Sequence, residues 1–90
     1  MVAMIKMSDV SRQRRMTLDV NTDRRITPRD TVSRVLERYV DEMVDPQEFH
    51  GQEANWLAYS RGVKLDTKTR LSDLDPQDDT WLVMPETTAG

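Results

Sequence analysis

The sequence predicts a small α+β domain, and three observations carry that prediction. Residues 27–45 repeat apolar side chains at helical spacing. Two short runs before that segment and two after it have the alternation, or the aromatic and β-branched content, of strands. The chain has 90 residues and no cysteine, and a chain of that size buries only about 60% of the surface its unfolded form exposes. One core is therefore expected.

"VAMIKM" at residues 2–7 is apolar enough for a strand, and "MTLDV" at 16–20 places Met16, Leu18 and Val20 on one face. The link between them, "SDVSRQRR", exceeds a two-residue turn and predicts a loose, arginine-rich hairpin loop. In "ITPRDTVSRVLERYVDEMV", Thr27 suits the helix N-cap, Pro28 the first helical position and Asp30 the positive end. Val32, Val35, Leu36, Tyr39 and Met43 then share one face, while Arg34, Glu37, Arg38, Asp41 and Glu42 take the other. Asp45 precedes Pro46 and is pushed out of helical geometry, which ends the segment. "NWLAYS" and "TWLVMP" supply two more strands. Between them Gly62 marks a turn, and "LSDL" suits a single helical turn capped by Ser72.

With no cysteine there is no disulfide framework, thiolate metal site or cysteine nucleophile, and a reducing cytoplasm is the expected location. No apolar run approaches the roughly 18 to 20 residues that span a bilayer, and "MVAMIKMSDV" is too short and ends too polar for a signal peptide, so no membrane role is expected. His50 is the only histidine, and no Ser or Cys partner stands at a catalytic spacing. The acidic residues Asp73, Asp75, Asp78 and Asp79 lack the spacing of a calcium loop, and no glycine-rich phosphate cradle occurs. Neither an enzyme, nor a metal site, nor a cofactor is expected.

The net charge of −3 conceals an asymmetry. Residues 1–38 carry nine Lys and Arg against five Asp and Glu; residues 39–90 carry four against eleven. Arg12, Arg14, Arg15, Arg24, Arg25 and Arg29 fall in two loops read as lying near one end of the molecule. Solvation or an acidic protein partner accounts for them better than nucleic acid does, because the chain is acidic overall and no aromatic residue interleaves with them to stack bases.

Five segments resemble the ubiquitin-like, β-grasp family. "MTLDV" is similar to its second strand, "DTVSRVLERY" to its helix, and "WLAYSRGVKL" to its third strand and glycine turn. "TRLSDLDPQDDTWLVM" is similar to its closing segment. The resemblance covers roughly residues 2–90, with "SRQRR" and "NTDRRITPRD" as lengthened loops. It implies a β-grasp roll over residues 1–85, a mixed sheet crossed by one amphipathic helix in the order β-β-α-β-β, and a flexible tail at 86–90. It also implies a role as modifier or carrier: an E1-like activating enzyme would activate the Gly90 carboxylate and pass it to a lysine of a target protein or to sulfur. Ala89, Thr88 and Thr87 would thread the enzyme's channel. Most of the family ends Gly-Gly where this chain ends Ala-Gly, and Glu86 stands where ubiquitin has an arginine used by its activating enzyme, so a different activator is implied. Only Lys6, Lys64 and Lys68 offer acceptor amines for chains of the protein on itself.

Strand alternation adds a surface. If Leu57, Tyr59, Trp81 and Val83 face the helix, Trp56, Ala58, Leu82 and Met84 face outward and form an apolar patch for protein partners. The alternative function is a noncovalent ubiquitin-like adaptor, similar to the YukD-like proteins associated with bacterial secretion systems or to a regulatory domain, that binds through its exposed sheet face. In either role the protein is expected to act as a monomer.

Overall fold

The computed structural model describes residues 4–45, 55–74 and 80–86. It is an α+β fold in which a mixed five-stranded sheet is covered on one face by a helix. Strands β1 (Met4–Ser8) and β2 (Arg15–Asp19) form an antiparallel hairpin, with Ile5 opposite Leu18 and Met7 opposite Met16. Helix α1 (Val32–Met43) follows, then β3 (Asn55–Ser60), β4 (Val63–Lys64), a 3-10 turn at Leu71–Asp73, and β5 (Thr80–Glu86). The strands lie in the order β2-β1-β5-β3-β4, with β5 parallel to β1 and antiparallel to β3.

Two features of the element order differ from expectation. The two-residue β4 is an additional strand, so three strands rather than two follow the helix. It forms because Arg61 and Gly62 both take positive φ, 53° and 78°, as a two-residue hairpin turn of type I′ requires. Glycine meets that requirement without a Cβ penalty. The helix also starts one turn later than the Thr27 cap suggests. Thr27 and Asp30 do form a closed turn: the Thr27 N–H donates to Asp30 Oδ2 (2.7 Å) and the Asp30 N–H to the Thr27 carbonyl (2.9 Å). It cannot propagate, because the Pro28 and Asp30 carbonyls accept from the N–H groups of Ser72 and Leu71 (2.8 Å each). Thr31 becomes the N-cap residue without a side-chain capping bond, and the orphan N–H groups of Val32 and Ser33 donate to the carbonyls of Thr69 and Thr67 (2.9 Å each). The 3-10 turn likewise begins at Leu71 with Arg70 as its N-cap residue, not with Ser72 as cap.

The core lies between helix and sheet. Val32, Val35, Leu36 and Tyr39 meet Ile5, Met7, Leu18, Ala58, Trp81 and Val83, with Val20, Ile26 and Leu71 closing its margins; all are buried. The Tyr39 hydroxyl donates to the Arg14 carbonyl (2.8 Å), tying the first hairpin loop to the helix. Burial, together with the nearby Asp9 carboxylate, holds the Tyr39 phenol above its ordinary value, so it stays protonated and able to donate. Among the described residues no helix is long and apolar enough to cross a membrane.

Arg38, expected on the solvated face of the helix, is buried at 7% exposure. The loop after β2 folds over it. Its Nη2 donates to Asp23 Oδ2 (3.0 Å), its Nη1 pairs with Glu42 Oε1 (2.6 Å), and among the described residues its buried Nε has no hydrogen-bond partner. Burial works against the guanidinium charge, but Asp23 and Glu42 more than offset it and hold its pKa above the ordinary value. Asp23 in turn accepts from the Arg25 N–H (2.8 Å), the largest influence holding its carboxyl below the ordinary 3.8; the Arg38 contact acts in the same direction. A carboxyl whose pKa is lower folded than unfolded stabilises the fold fully above its unfolded value and loses that contribution as pH falls through the folded one. Stability should therefore be flat from neutrality to about pH 5 and decline below it. In acid titrations followed by urea unfolding, Asp23→Asn should decline less steeply. An unchanged acid slope in that variant would place the titrating groups elsewhere.

Candidate functional site

One face of the sheet is covered by α1; the other has no element packed on it among the described residues. Strand period and register decide which side chains lie there. On β5 the phase is the one read from the sequence: Trp81 (4% exposed) and Val83 (0%) face the core, while Leu82 is exposed and Met84 half-buried. On β3 the phase is reversed. Ala58 is fully buried at 0% exposure, and Trp56 is half-buried against the core. The pairing explains the correction: Ala58 lies opposite Val83 and Trp56 opposite Pro85, so both share the inward phase of β5. Leu57 and Tyr59 take the outward positions instead, opposite Met84 and Leu82.

The result is an apolar strip of two cross-strand pairs, Leu57 with Met84 and Tyr59 with Leu82. Directly opposed residues on one face of a sheet have Cβ atoms roughly 4.5–5.5 Å apart, which sets the members of each pair side by side. Lys64 stands opposite Tyr59 on β4, and Lys6 stands on β1 opposite Thr80 and Thr17. The rim of the strip is thus basic on both flanks. A small cleft of about 400 Å³ lies beside Tyr59, Leu82 and Met84, with Arg61 and Gly62 on its wall. Such a face can bind a protein surface: it offers aliphatic contact at the centre and cations at the edge.

The two arginine-rich loops do not share one end. One precedes Arg15 and the other follows Asp19, so they flank opposite ends of β2. Arg25 pairs with Glu42 (3.5 Å) and Asp23 (3.7 Å) near the buried Arg38, as part of the clamp on the helix. Arg12 and Arg15 stay with the outward face. Gly90, Ala89, Thr88 and Thr87 lie outside the described residues, as do His50, Asp75, Asp78 and Asp79. Among the described residues no three His, Asp or Glu side chains converge as a metal site would require.

No protein-family model matches the chain, and no curated protein matches it in sequence.

Proposed function

We propose that the chain is a ubiquitin-like modifier or carrier of the β-grasp type, recognised by other proteins through the outward strip of β3 and β5 and joined to its acceptor through the Gly90 carboxylate. The fold reading is supported by the helix laid across a mixed sheet and by β3 lying next to β5, the neighbour relation the family resemblance implies. The observation that carries the function is that β5 does two things at once. It sets Leu82 and Met84 on the uncovered face, and it ends at Glu86, immediately before residues 87–90 in the sequence. An enzyme that grips the strip thereby holds the strand nearest in sequence to Gly90.

The chemistry asks little of this chain beyond a threadable end. The Gly90 carboxylate attacks the α-phosphorus of ATP and pyrophosphate leaves, giving an acyl-adenylate. A thiol of the activating enzyme displaces AMP, and a lysine amine of the target then displaces the thiol and loses a proton to form an isopeptide bond. Alternatively a persulfide of a sulfur donor displaces AMP to give an acyl disulfide, and a donor thiol then cleaves its S–S bond, leaving a thiocarboxylate on the chain and a disulfide on the donor. Glycine at 90 and alanine at 89 allow close backbone approach in a narrow channel. The protein acts here as a monomer in the cytoplasm, with the activating enzyme and the targets as its partners.

Because adenylate formation is reversible, extracts of the source cells should exchange labelled pyrophosphate into ATP when the wild-type chain is added, and not when a chain lacking Gly90 is added. Equal exchange with and without the added wild-type chain would overturn the modifier reading. The second reading, a noncovalent adaptor, rests on the strip alone and would then be the better one.

A further inference from the structure

We infer that the groove flanking the strip on its β1–β2 side holds an acidic segment of a protein partner. This deepens the docking role proposed above and rests on it. The groove, of about 650 Å³, is lined by Lys6, Arg12 and Arg15 and by the apolar side chains of Val10, Met16 and Leu82. Lys6 and Arg15 are diagonal neighbours across the β1–β2 ladder, since Lys6 lies opposite Thr17 and Arg15 two residues before it. Such neighbours sit roughly 7–8 Å apart. Arg12 is brought to them by a backbone turn at φ 63°, and its carbonyl accepts from Arg15 Nε at 3.0 Å.

Three cations thus share one groove, and among the described residues none of them pairs with a carboxylate. Asp9, the one carboxylate in the lining, is engaged by its own loop. It accepts from the Ser11 hydroxyl (2.8 Å) and the Arg14 N–H (3.3 Å). Burial raises its pKa, but these bonds outweigh that effect and keep it ionised. Its charge is spent in shaping the loop, and the groove remains cationic. Complementarity then calls for carboxylates on the occupant.

The apolar wall decides which polyanion fits. Val10 is 69% exposed and Leu82 36% exposed, so aliphatic side chains of an occupant find partners beside the cations, and Leu82 makes the groove continuous with the strip. The aromatic ring in the lining, Trp81, is 4% exposed and faces the core, so it offers no platform on which a base could stack. Arg12 lies in the first hairpin loop and Arg15 opens β2 directly after it, so the groove is built by the first hairpin and its loop.

The test is an amide-resolved NMR titration of the full chain with the peptide Glu-Leu-Glu-Glu-Leu-Glu and with its neutral counterpart Gln-Leu-Gln-Gln-Leu-Gln. The acidic peptide should shift Lys6, Arg12, Arg15, Thr17 and Leu82, should bind about tenfold more tightly than the neutral one, and should weaken as salt is raised. Arg12→Glu with Arg15→Glu should abolish that preference while the spectrum stays dispersed; Arg15→Gln alone should reduce it if the double variant does not fold. Equal binding of both peptides, no binding of either, or shifts confined to Leu57, Tyr59 and Met84 would overturn the groove assignment. A single-stranded oligonucleotide that displaces the acidic peptide would overturn it in favour of nucleic acid. None of these outcomes alters pyrophosphate exchange, so a failure here is distinct from a failure of the modifier reading.

Discussion

Tyr39→Ala should lower the free energy of unfolding by about 3–5 kcal/mol, the range for deleting a large buried aromatic ring. Small domains hold about 5–15 kcal/mol in total, so this one change should leave the protein near the edge of folding. The magnitude follows from the position of the residue. Tyr39 is fully buried on the apolar face of α1, and its hydroxyl reaches the Arg14 carbonyl of the first hairpin loop. Tyr39→Phe separates the two roles. The ring stays, and the Arg14 carbonyl keeps the weaker bond from the Asp9 N–H at 3.3 Å, so the loss should be about 1 kcal/mol. Because that bond ties down the loop carrying Arg12, amide exchange at residues 12–14 should rise in Tyr39→Phe with little change in the helix. Urea unfolding and hydrogen exchange read both effects. A loss below about 1 kcal/mol in Tyr39→Ala would mean that the ring is not part of the core.

Leu82→Asp should have the opposite signature, costing function and sparing the fold. The residue is exposed, so its replacement should change stability by less than about 1 kcal/mol, the span of strand preferences. It is also the one position shared by the apolar strip and the cationic groove. An aspartate there would remove aliphatic contact from the middle of the proposed docking surface and leave a desolvated charge against any apolar partner. Losses at the centre of an interface commonly reach about 2 kcal/mol, or some thirtyfold in affinity. Val63→Asp is the control, because Val63 is more exposed still, at 66%, but pairs with Ser60 on the opposite phase of the sheet. It should leave binding unchanged. Equal losses in the two variants would mean that the strip has no special role.

The parts legible in the sequence are those whose physics is local. The apolar face of α1 follows from helical spacing alone, and the phase of β5 follows because Trp81 and Val83 outweigh Leu82 and Met84 as core candidates. "NWLAYS" offers no such contrast. Trp56 and Ala58 compete with Leu57 and Tyr59, and the choice is made only by pairing with β5, where Ala58 must follow its partner Val83 inward. The start of the helix was hidden for a similar reason: the bonds that stop the Thr27 turn come from Leu71 and Ser72, some forty residues away. Arg38 reads as solvated on a helical wheel and is buried because the Asp23 loop closes over it. The arginine-rich composition of the two loops was plain, but strand length separates them, and of the six arginines it is Arg12 and Arg15 that line the groove beside the strip.

The most direct measurement is mass analysis of adducts formed by the N-terminally tagged chain in its source cells, comparing wild type, Leu82→Asp and a chain lacking Gly90. The wild type should yield either target lysines carrying a remnant that ends in Gly90 or free protein with sulfur in place of one carboxylate oxygen. The chain lacking Gly90 should yield neither, and Leu82→Asp, though folded, should yield about tenfold less. Adducts that persist without Gly90, or a wild type that forms none while still binding its partners, would contradict the covalent role and leave a protein that works by docking alone.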